Sequence, residues 1–138
     1  MQLKRVGDMI LLKIDRGEEV MQKLVEVLDS NRISCGTVRW GIGMVSNADI
    51  GYLDNGKYLR KKYPDRMEVV AFHGSISSND PRLHIHASLS DRNHMASGGH
   101  VFSAIADPMM EVEVSILPDG TITRSLNTES GLNEFNLA

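Results

Sequence analysis

The sequence RLHIHASLSDRNHMASGGHV, at residues 82–101, contains the pattern that decides the fold of this chain. Apolar and polar side chains alternate from Leu83 to Leu89, and this period of two predicts a half-buried β-strand. His84 and His86 both fall on the polar side of the alternation. Side chains at such positions point to the same face of a strand, with Cα atoms about 6 to 7 Å apart. The two imidazoles can therefore converge on one metal ion.

A third histidine, His100, follows Gly98 and Gly99, a glycine pair that we expect to turn the chain back toward the strand. The predicted metal ligands are thus His84, His86 and His100. Three histidines with one open position suit a catalytic zinc ion, whereas a closed structural site normally uses four protein ligands. A hydrogen-bonded structural role on a half-buried strand is the alternative, and the spacing alone leaves both interpretations open.

Glu68 is the one candidate for a catalytic or orienting carboxylate, and it begins a strand predicted at residues 67–76. A carboxylate near a histidine cluster can orient an imidazole or act as a general base toward metal-bound water. An exposed charge at a strand end is the alternative. Regular alternation places His73 on the opposite face from Glu68, so His73 is not grouped with the other histidines. Gly41 and Gly43 lack the third glycine of a dinucleotide site, and no cofactor-binding residues are predicted.

With 138 residues, 41% hydrophobic and 24% charged, the chain is expected to form one domain spanning residues 1–138. Its formal net charge is −3. That charge argues against DNA binding through bulk electrostatics, since phosphate neutralisation needs clustered lysine and arginine. The nearest basic cluster, interpreted as a solvated loop or turn, comprises Lys57, Arg60, Lys61, Lys62 and Arg66.

Cys35 is the only cysteine, which excludes an intrachain disulfide and favours a reducing, cytoplasmic setting. The apolar run at residues 9–12 is too short for a secretory signal, and no apolar stretch is long enough to span a membrane. We therefore expect neither export nor a membrane partner.

One amphipathic helix is expected after a first strand. Asp15 is its predicted N-cap and Glu18 completes a capping box, three positions on. Its apolar stripe comprises Val20, Met21, Leu24, Val27 and Leu28. Strands are predicted at residues 9–14, 33–45, 48–53, 57–63, 67–76, 83–89, 99–105, 109–117 and 121–126. One helix among many closely spaced strands predicts an α+β domain built on a largely antiparallel sheet.

Several ordered motifs carry a resemblance to a known family. They are Gly41-Ile-Gly43 with Ala48-Asp-Ile-Gly51-Tyr52, Glu68-Val-Val-Ala-Phe-His-Gly-Ser-Ile-Ser77, Leu83-His-Ile-His-Ala-Ser-Leu89, Gly98-Gly-His-Val101 and Ser130-Gly-Leu132. In this order and spacing, the chain resembles the plants and prokaryotes conserved (PPC) domain over nearly its whole length. It resembles a stand-alone prokaryotic member, without the AT-hook that precedes the domain in plants.

The resemblance implies a compact domain with a mainly antiparallel sheet flanked by helices, assembled as a homotrimer. It also implies a metal site at His84, His86 and His100, with zinc as the ion. Prokaryotic members of the family are often labelled DNA-binding by association with the plant proteins. This chain lacks the Arg-Gly-Arg-Pro core that reads the minor groove, so the resemblance does not supply a DNA-reading element.

Three functions are therefore weighed. The first is a homotrimeric, zinc-binding module with a regulatory or interaction role, whose partner is a protein or an unidentified small ligand. The second is a hydrolase-like enzyme that uses metal-bound water, with Glu68 as its base. The third is a DNA-binding protein that uses a basic stripe from the cluster at residues 57–66.

Overall fold

The computed structural model describes residues 1–137, which form nine strands and one helix. The elements are β1 (Gln2–Val6), β2 (Met9–Asp15), α1 (Val20–Ser30), β3 (Cys35–Asp54), β4 (Lys57–Tyr63), β5 (Met67–Ile76), β6 (Leu83–Ser90), β7 (Ala96–Leu117), β8 (Ile122–Leu126) and β9 (Asn133–Leu137). The prediction of a mainly antiparallel sheet is confirmed, since every strand pair within this range is antiparallel. No helix in the described residues is long and apolar enough to cross a lipid bilayer.

Seven strands form one sheet in the order β1-β2-β7-β6-β5-β3-β4, while β8 and β9 form a separate hairpin. Strand β3 also pairs with β7. The four strands β3, β5, β6 and β7 therefore form a closed circuit, in which each strand pairs with two of the other three. Small and medium apolar side chains fill its interior: Val45, Ile50, Val69, Phe72, Ala87, Leu89, Val101 and Ala104. Because side chains alternate along a strand, the even-numbered residues of β6 point outward from this circuit.

The helix packs its apolar stripe into the core as predicted, but it begins later than the sequence indicates. Asp15 and Glu18 do make the expected contact, in which the Asp15 amide donates to Glu18 Oε2 at 2.8 Å. The backbone of this segment is hydrogen-bonded to Ala106 of β7. The Gly17 amide donates to the Ala106 carbonyl at 2.9 Å, and the Ala106 amide donates to the Glu18 carbonyl at 3.0 Å. This pairing keeps the segment extended, so Glu19 is the N-cap instead of Asp15.

Two further differences concern the length and number of elements. The resemblance implied flanking helices, whereas residues 1–137 contain α1 alone.

The strands predicted at 33–45 and 48–53 are two parts of β3, and those at 99–105 and 109–117 are two parts of β7. Register shifts along the β3–β7 pairing absorb the glycine and polar positions that interrupt the hydrophobic pattern. Strand β1 was not predicted, because all five of its residues are exposed and give no alternation.

Candidate metal centre

The three predicted ligands meet on the outer face of the sheet. His86 on β6 pairs directly with His100 on β7, and His84 lies two positions from His86 on the same face. The imidazole centroids lie 5.0 Å apart for His84 and His86, 5.1 Å for His84 and His100, and 5.7 Å for His86 and His100. One nitrogen from each ring falls within 4.8 Å of the other two. Strand pairing thus produces the convergence that the sequence predicted.

The spacing of two rings of the triad fits a tetrahedral metal ion. His84 Nε2 and His86 Nε2 lie 3.2 Å apart. Two nitrogens bound at about 2.0–2.1 Å to one tetrahedral ion would be separated by about 3.3 Å. His100 Nδ1 is buried and has no hydrogen-bond partner, which is costly for a polar atom unless a ligand satisfies it. A shared ion accounts for the spacing of His84 and His86, and an ion bound also through His100 Nδ1 would satisfy that atom, which a hydrogen bond between His84 and His86 does not.

The environment keeps the triad in its metal-binding protonation state. Burial is the main cause that lowers the pKa of His84, with further lowering by His86 and Arg124. Burial, followed by the charge of His73, lowers the pKa of His86. Burial again dominates at His100, where it and the neighbouring cations lower the pKa to about 4. Neutral imidazole is the form that ligates a metal, so all three rings are ready to bind one at neutral pH.

Gly98 and Gly99 lie inside β7 and do not form the turn that we expected from them. The turn is made by Asp91, whose Oδ1 accepts from the amides of Asn93 at 2.8 Å and Met95 at 3.0 Å. A Cβ on Gly98 would lie 2.5 Å from the Ala87 carbonyl oxygen of β6. The glycines are therefore needed for the close approach of β7 to its neighbours, which brings His100 opposite His86.

Aromatic rings cover one side of the triad. Tyr58 and Phe102 pack on His100 with ring centroids at 4.9 and 4.8 Å. Gly51 makes this possible, because a Cβ there would lie 2.5 Å from Phe102 and 2.8 Å from Tyr58. The Arg60 guanidinium stacks on the far side of Phe102, 4.0 Å from the ring centroid. This wall excludes water from the His100 side and leaves the triad open toward β5.

The placement of His73 and Glu68 differs from the one inferred from alternation. A register shift between Val69 and Ala71 reverses the faces of β5, so His73 lies opposite His86 on the outer face. Glu68 pairs with Ser90, four positions beyond His86, which places it about 13 Å along the strand from that histidine. The structure therefore brings His73 beside the triad and leaves the Glu68 carboxylate away from it.

An open groove of about 530 Å³ adjoins the triad on its β5 side. Its lining comprises Val38, Arg39, His73, Gly74, Ser75, His84 and His86. The sequence analysis did not single out Arg39 or Ser75 as site residues, and no local pattern distinguishes them. They become part of the site only through the pairing of β5 with β6 and with β3. The groove gives the three imidazoles access from solvent on this side.

Comparison with known proteins agrees with the fold. The sequence model of the Plants and Prokaryotes Conserved (PCC) domain matches residues 1–118. The chain belongs to this family. The PPC resemblance seen in the motifs is thereby confirmed, and the matched range includes all three histidines of the triad. No curated protein matches the sequence significantly.

Several solved structures share the fold over almost the whole chain. A "putative DNA-binding protein" from Bacteroides thetaiotaomicron has 25% identity and a TM-score of 0.91, covering 99% of this chain and 96% of its own. A metal-containing protein from Archaeoglobus fulgidus has 28% identity and a TM-score of 0.86, covering 99% of both chains. A PPC protein from Pyrococcus horikoshii, at 23% identity and a TM-score of 0.85, covers 99% of this chain and 94% of its own.

Proposed function

We propose that this PPC domain is a zinc-binding module that assembles as a homotrimer and has a regulatory or interaction role. The observation that carries the proposal is the convergence of three imidazole nitrogens, all within 4.8 Å of one another, on one face of the sheet. Three neutral imidazole donors that leave one position open suit zinc, and imidazole is a common ligand of that ion. The Archaeoglobus relative is described as metal-containing, which supports a metal in this chain as well.

Exposed apolar side chains support self-assembly. Glu113 on β7 pairs with Leu11 of β2 on one side and with Trp40 of β3 on the other, so the three side chains share the outer face of the sheet. Ile42 lies two positions after Trp40 on β3. Leu11, Trp40 and Ile42 are exposed large hydrophobic residues. In a closed ring of identical subunits, every subunit buries such a surface against a neighbour, and no subunit leaves it exposed. A homotrimer is the assembly that we propose for this family member.

An interaction role is favoured over the hydrolase-like alternative because of the carboxylate placement. A general base must lie within hydrogen-bond reach of the water that it activates, or one water away. Glu68, the candidate base, is about 13 Å along the strand from His86. It is not positioned to take a proton from water on the metal.

DNA binding is the weaker alternative, although the Bacteroides relative carries that description. Two of the basic residues proposed for a DNA-contacting stripe are already paired with carboxylates, Arg60 with Asp49 and Arg66 with Asp107. The formal net charge of the whole chain is −3. Phosphate contacts would have to compete with these ion pairs, so a DNA affinity that falls steeply with salt is not expected.

The test is the metal content of the purified native protein, measured by elemental analysis beside the variants His84→Ala and Glu68→Gln. We expect about one zinc per chain in the native protein and in Glu68→Gln, and background zinc in His84→Ala. Equal zinc in all three proteins would show that the metal lies elsewhere. Absence of any transition metal from the native protein, even after zinc is supplied and excess removed, would refute the proposal.

A further inference from the structure

Arg124 on β8 is a buried arginine without a carboxylate partner. The residue is only 5% exposed. Its Nε donates to the Pro81 carbonyl at 3.1 Å and its Nη2 donates to Ser75 Oγ at 2.6 Å. Among the described residues, none of its contacts is an ion pair, in contrast to Arg60, which is paired with Asp49. A buried charge is normally paired, so a missing counter-charge at Arg124 requires a physical explanation.

The unpaired guanidinium lies next to the metal centre. Ser75, which accepts its hydrogen bond, is the direct register partner of His84 across β5 and β6. The positive charge of Arg124 contributes to the lowered pKa of both His84 and His100. Arg124 is therefore within electrostatic range of two of the three proposed metal ligands, although it comes from a hairpin outside the main sheet.

The metal centre and Arg124 together lack a negative counter-charge. A divalent ion on three neutral imidazoles, together with Arg124, places three positive charges in a half-buried site. No carboxylate lies among the residues that line the groove beside the triad. Uncompensated charges in a low dielectric are unfavourable, and a metal with three protein ligands keeps a position for an exogenous one. An anion at that position would satisfy both the metal and Arg124.

We infer that the metal centre binds a small oxyanion, a carboxylate or a phosphate, which coordinates the metal and is bound by Arg124 and Ser75. The inference rests on the proposed metal-binding function. The Ser75 hydroxyl accepts from Arg124, so its own proton is free to be donated to the anion. Nε and Nη2 of Arg124 already donate to Pro81 and Ser75, and Nη1, which has no hydrogen-bond partner among the described residues, can donate to the oxyanion. The groove along Ser75, His84 and His86 gives such an anion its entry path.

The experiment uses the native protein loaded with cobalt(II) in place of zinc, because cobalt reports its coordination by visible absorption. Sodium acetate and inorganic phosphate are titrated separately at constant ionic strength, which shows which oxyanion the site prefers. The variant Arg124→Gln removes the buried charge. The matched control is Arg92→Gln, which removes an exposed arginine in the turn between β6 and β7, outside the groove. Cobalt stoichiometry and thermal unfolding are measured for each protein first.

We expect at least one of the two anions to change the cobalt spectrum of the native protein. The dissociation constant should rise about tenfold or more in Arg124→Gln, as expected for loss of a charge-assisted hydrogen bond. Arg92→Gln should remain within about twofold of the native value, because an exposed charge outside the groove contributes little. Ser75→Ala, which leaves Arg124 in place, should also weaken anion binding without loss of cobalt, and it serves if Arg124→Gln does not fold.

The outcomes separate the two proposals. If cobalt binds stoichiometrically but neither anion alters its spectrum, the oxyanion inference is overturned and the metal site stands. If Arg124→Gln binds the anion as tightly as Arg92→Gln does, Arg124 is not the counter-charge. If Ser75→Ala is the variant measured, unchanged anion affinity overturns the assignment in the same way. Failure of the native protein to bind any cobalt refutes the metal-binding function itself.

Discussion

His86 and His100 lie directly opposite each other on neighbouring antiparallel strands, with their ring centroids 5.7 Å apart. The turn at Asp91 brings the two strands together. Gly98 and Gly99 allow their close approach, because backbone atoms of the neighbouring strands lie where a Cβ on either glycine would be. The site is therefore rigid and largely preformed. A metal ion does not need to order a loop in order to bind.

The variant His86→Ala should lose metal without unfolding the domain. His86 is exposed on the outer face, so its removal leaves the apolar interior intact and should change the free energy of unfolding of the metal-free protein by about 0.5 kcal/mol or less. His73→Ala is the matched control, since His73 lies opposite His86 but outside the triad. Zinc per chain and thermal unfolding are measured for both. Full zinc content in His86→Ala would contradict the assignment.

Metal removal should lower the stability of the native protein. A ligand present at 100 times its dissociation constant stabilises the folded state by about 2.7 kcal/mol, which is about 10 °C in Tm for a domain of this size. Differential scanning calorimetry with and without a chelator measures the shift. The Tm of His84→Ala should not respond to the chelator. An equal response in both proteins would place the stabilising metal outside the triad.

The variant Gly98→Ala should be destabilised by packing alone. Its Cβ would lie 2.5 Å from the Ala87 carbonyl oxygen and 3.2 Å from the Ser88 Cα, so β6 and β7 must separate. We expect a loss of about 2 kcal/mol or more in denaturant unfolding. Gly7→Ala is the comparison, because Gly7 has a φ of +59° and open space around it. That strain costs about 1 kcal/mol. Similar losses in the two variants would argue against the clash.

Asp49 should make the domain sensitive to acid. It is 3% exposed, and Arg60 donates to both of its oxygens, at 3.1 and 2.5 Å. Those hydrogen bonds lower the pKa of Asp49 below its usual value. Since the carboxyl binds its proton more weakly when folded, its contribution is complete above about pH 4 and is lost as the pH falls through the folded-state pKa.

This acid dependence can be isolated with Asp49→Asn. The variant should be about 2 kcal/mol less stable than the native protein at pH 7. The difference should shrink at acid pH, as the native carboxyl is protonated. Asp29→Asn, at an exposed ion pair with Arg82, should change stability by about 0.5 kcal/mol or less at every pH. A constant difference between Asp49→Asn and the native protein from pH 7 to acid would contradict the role of the ion pair.

Sedimentation should show a trimer at micromolar concentration. The exposed patch at Leu11, Trp40 and Ile42 is the surface that we expect to be buried between subunits. Ile42→Asp should therefore shift the protein toward the monomer, because a charge in an apolar interface is costly. Met95→Asp, at an exposed position in the turn between β6 and β7, should remain trimeric. A monomeric native protein would refute the assembly.

The candidate site was predictable where its chemistry is local. His84 and His86 could be assigned to one face because alternation along a short strand is strict, and the structure keeps it over β6. His73 could not be assigned in this way, since the register shift between Val69 and Ala71 reverses the alternation. A bulge depends on the pairing of a strand with its neighbour, and that pairing has no signal within the strand itself.

The sequence by itself determined the fold class, the antiparallel sheet, the buried stripe of the helix and the histidines that converge, because hydrophobic periodicity and residue chemistry are properties of the chain. Tertiary structure alone decided that β3 and β7 close the sheet into a circuit, that Glu68 lies away from the triad and that Arg124 lies next to it. These relationships join residues far apart in sequence. They arise only when strand register and packing are set by the whole core.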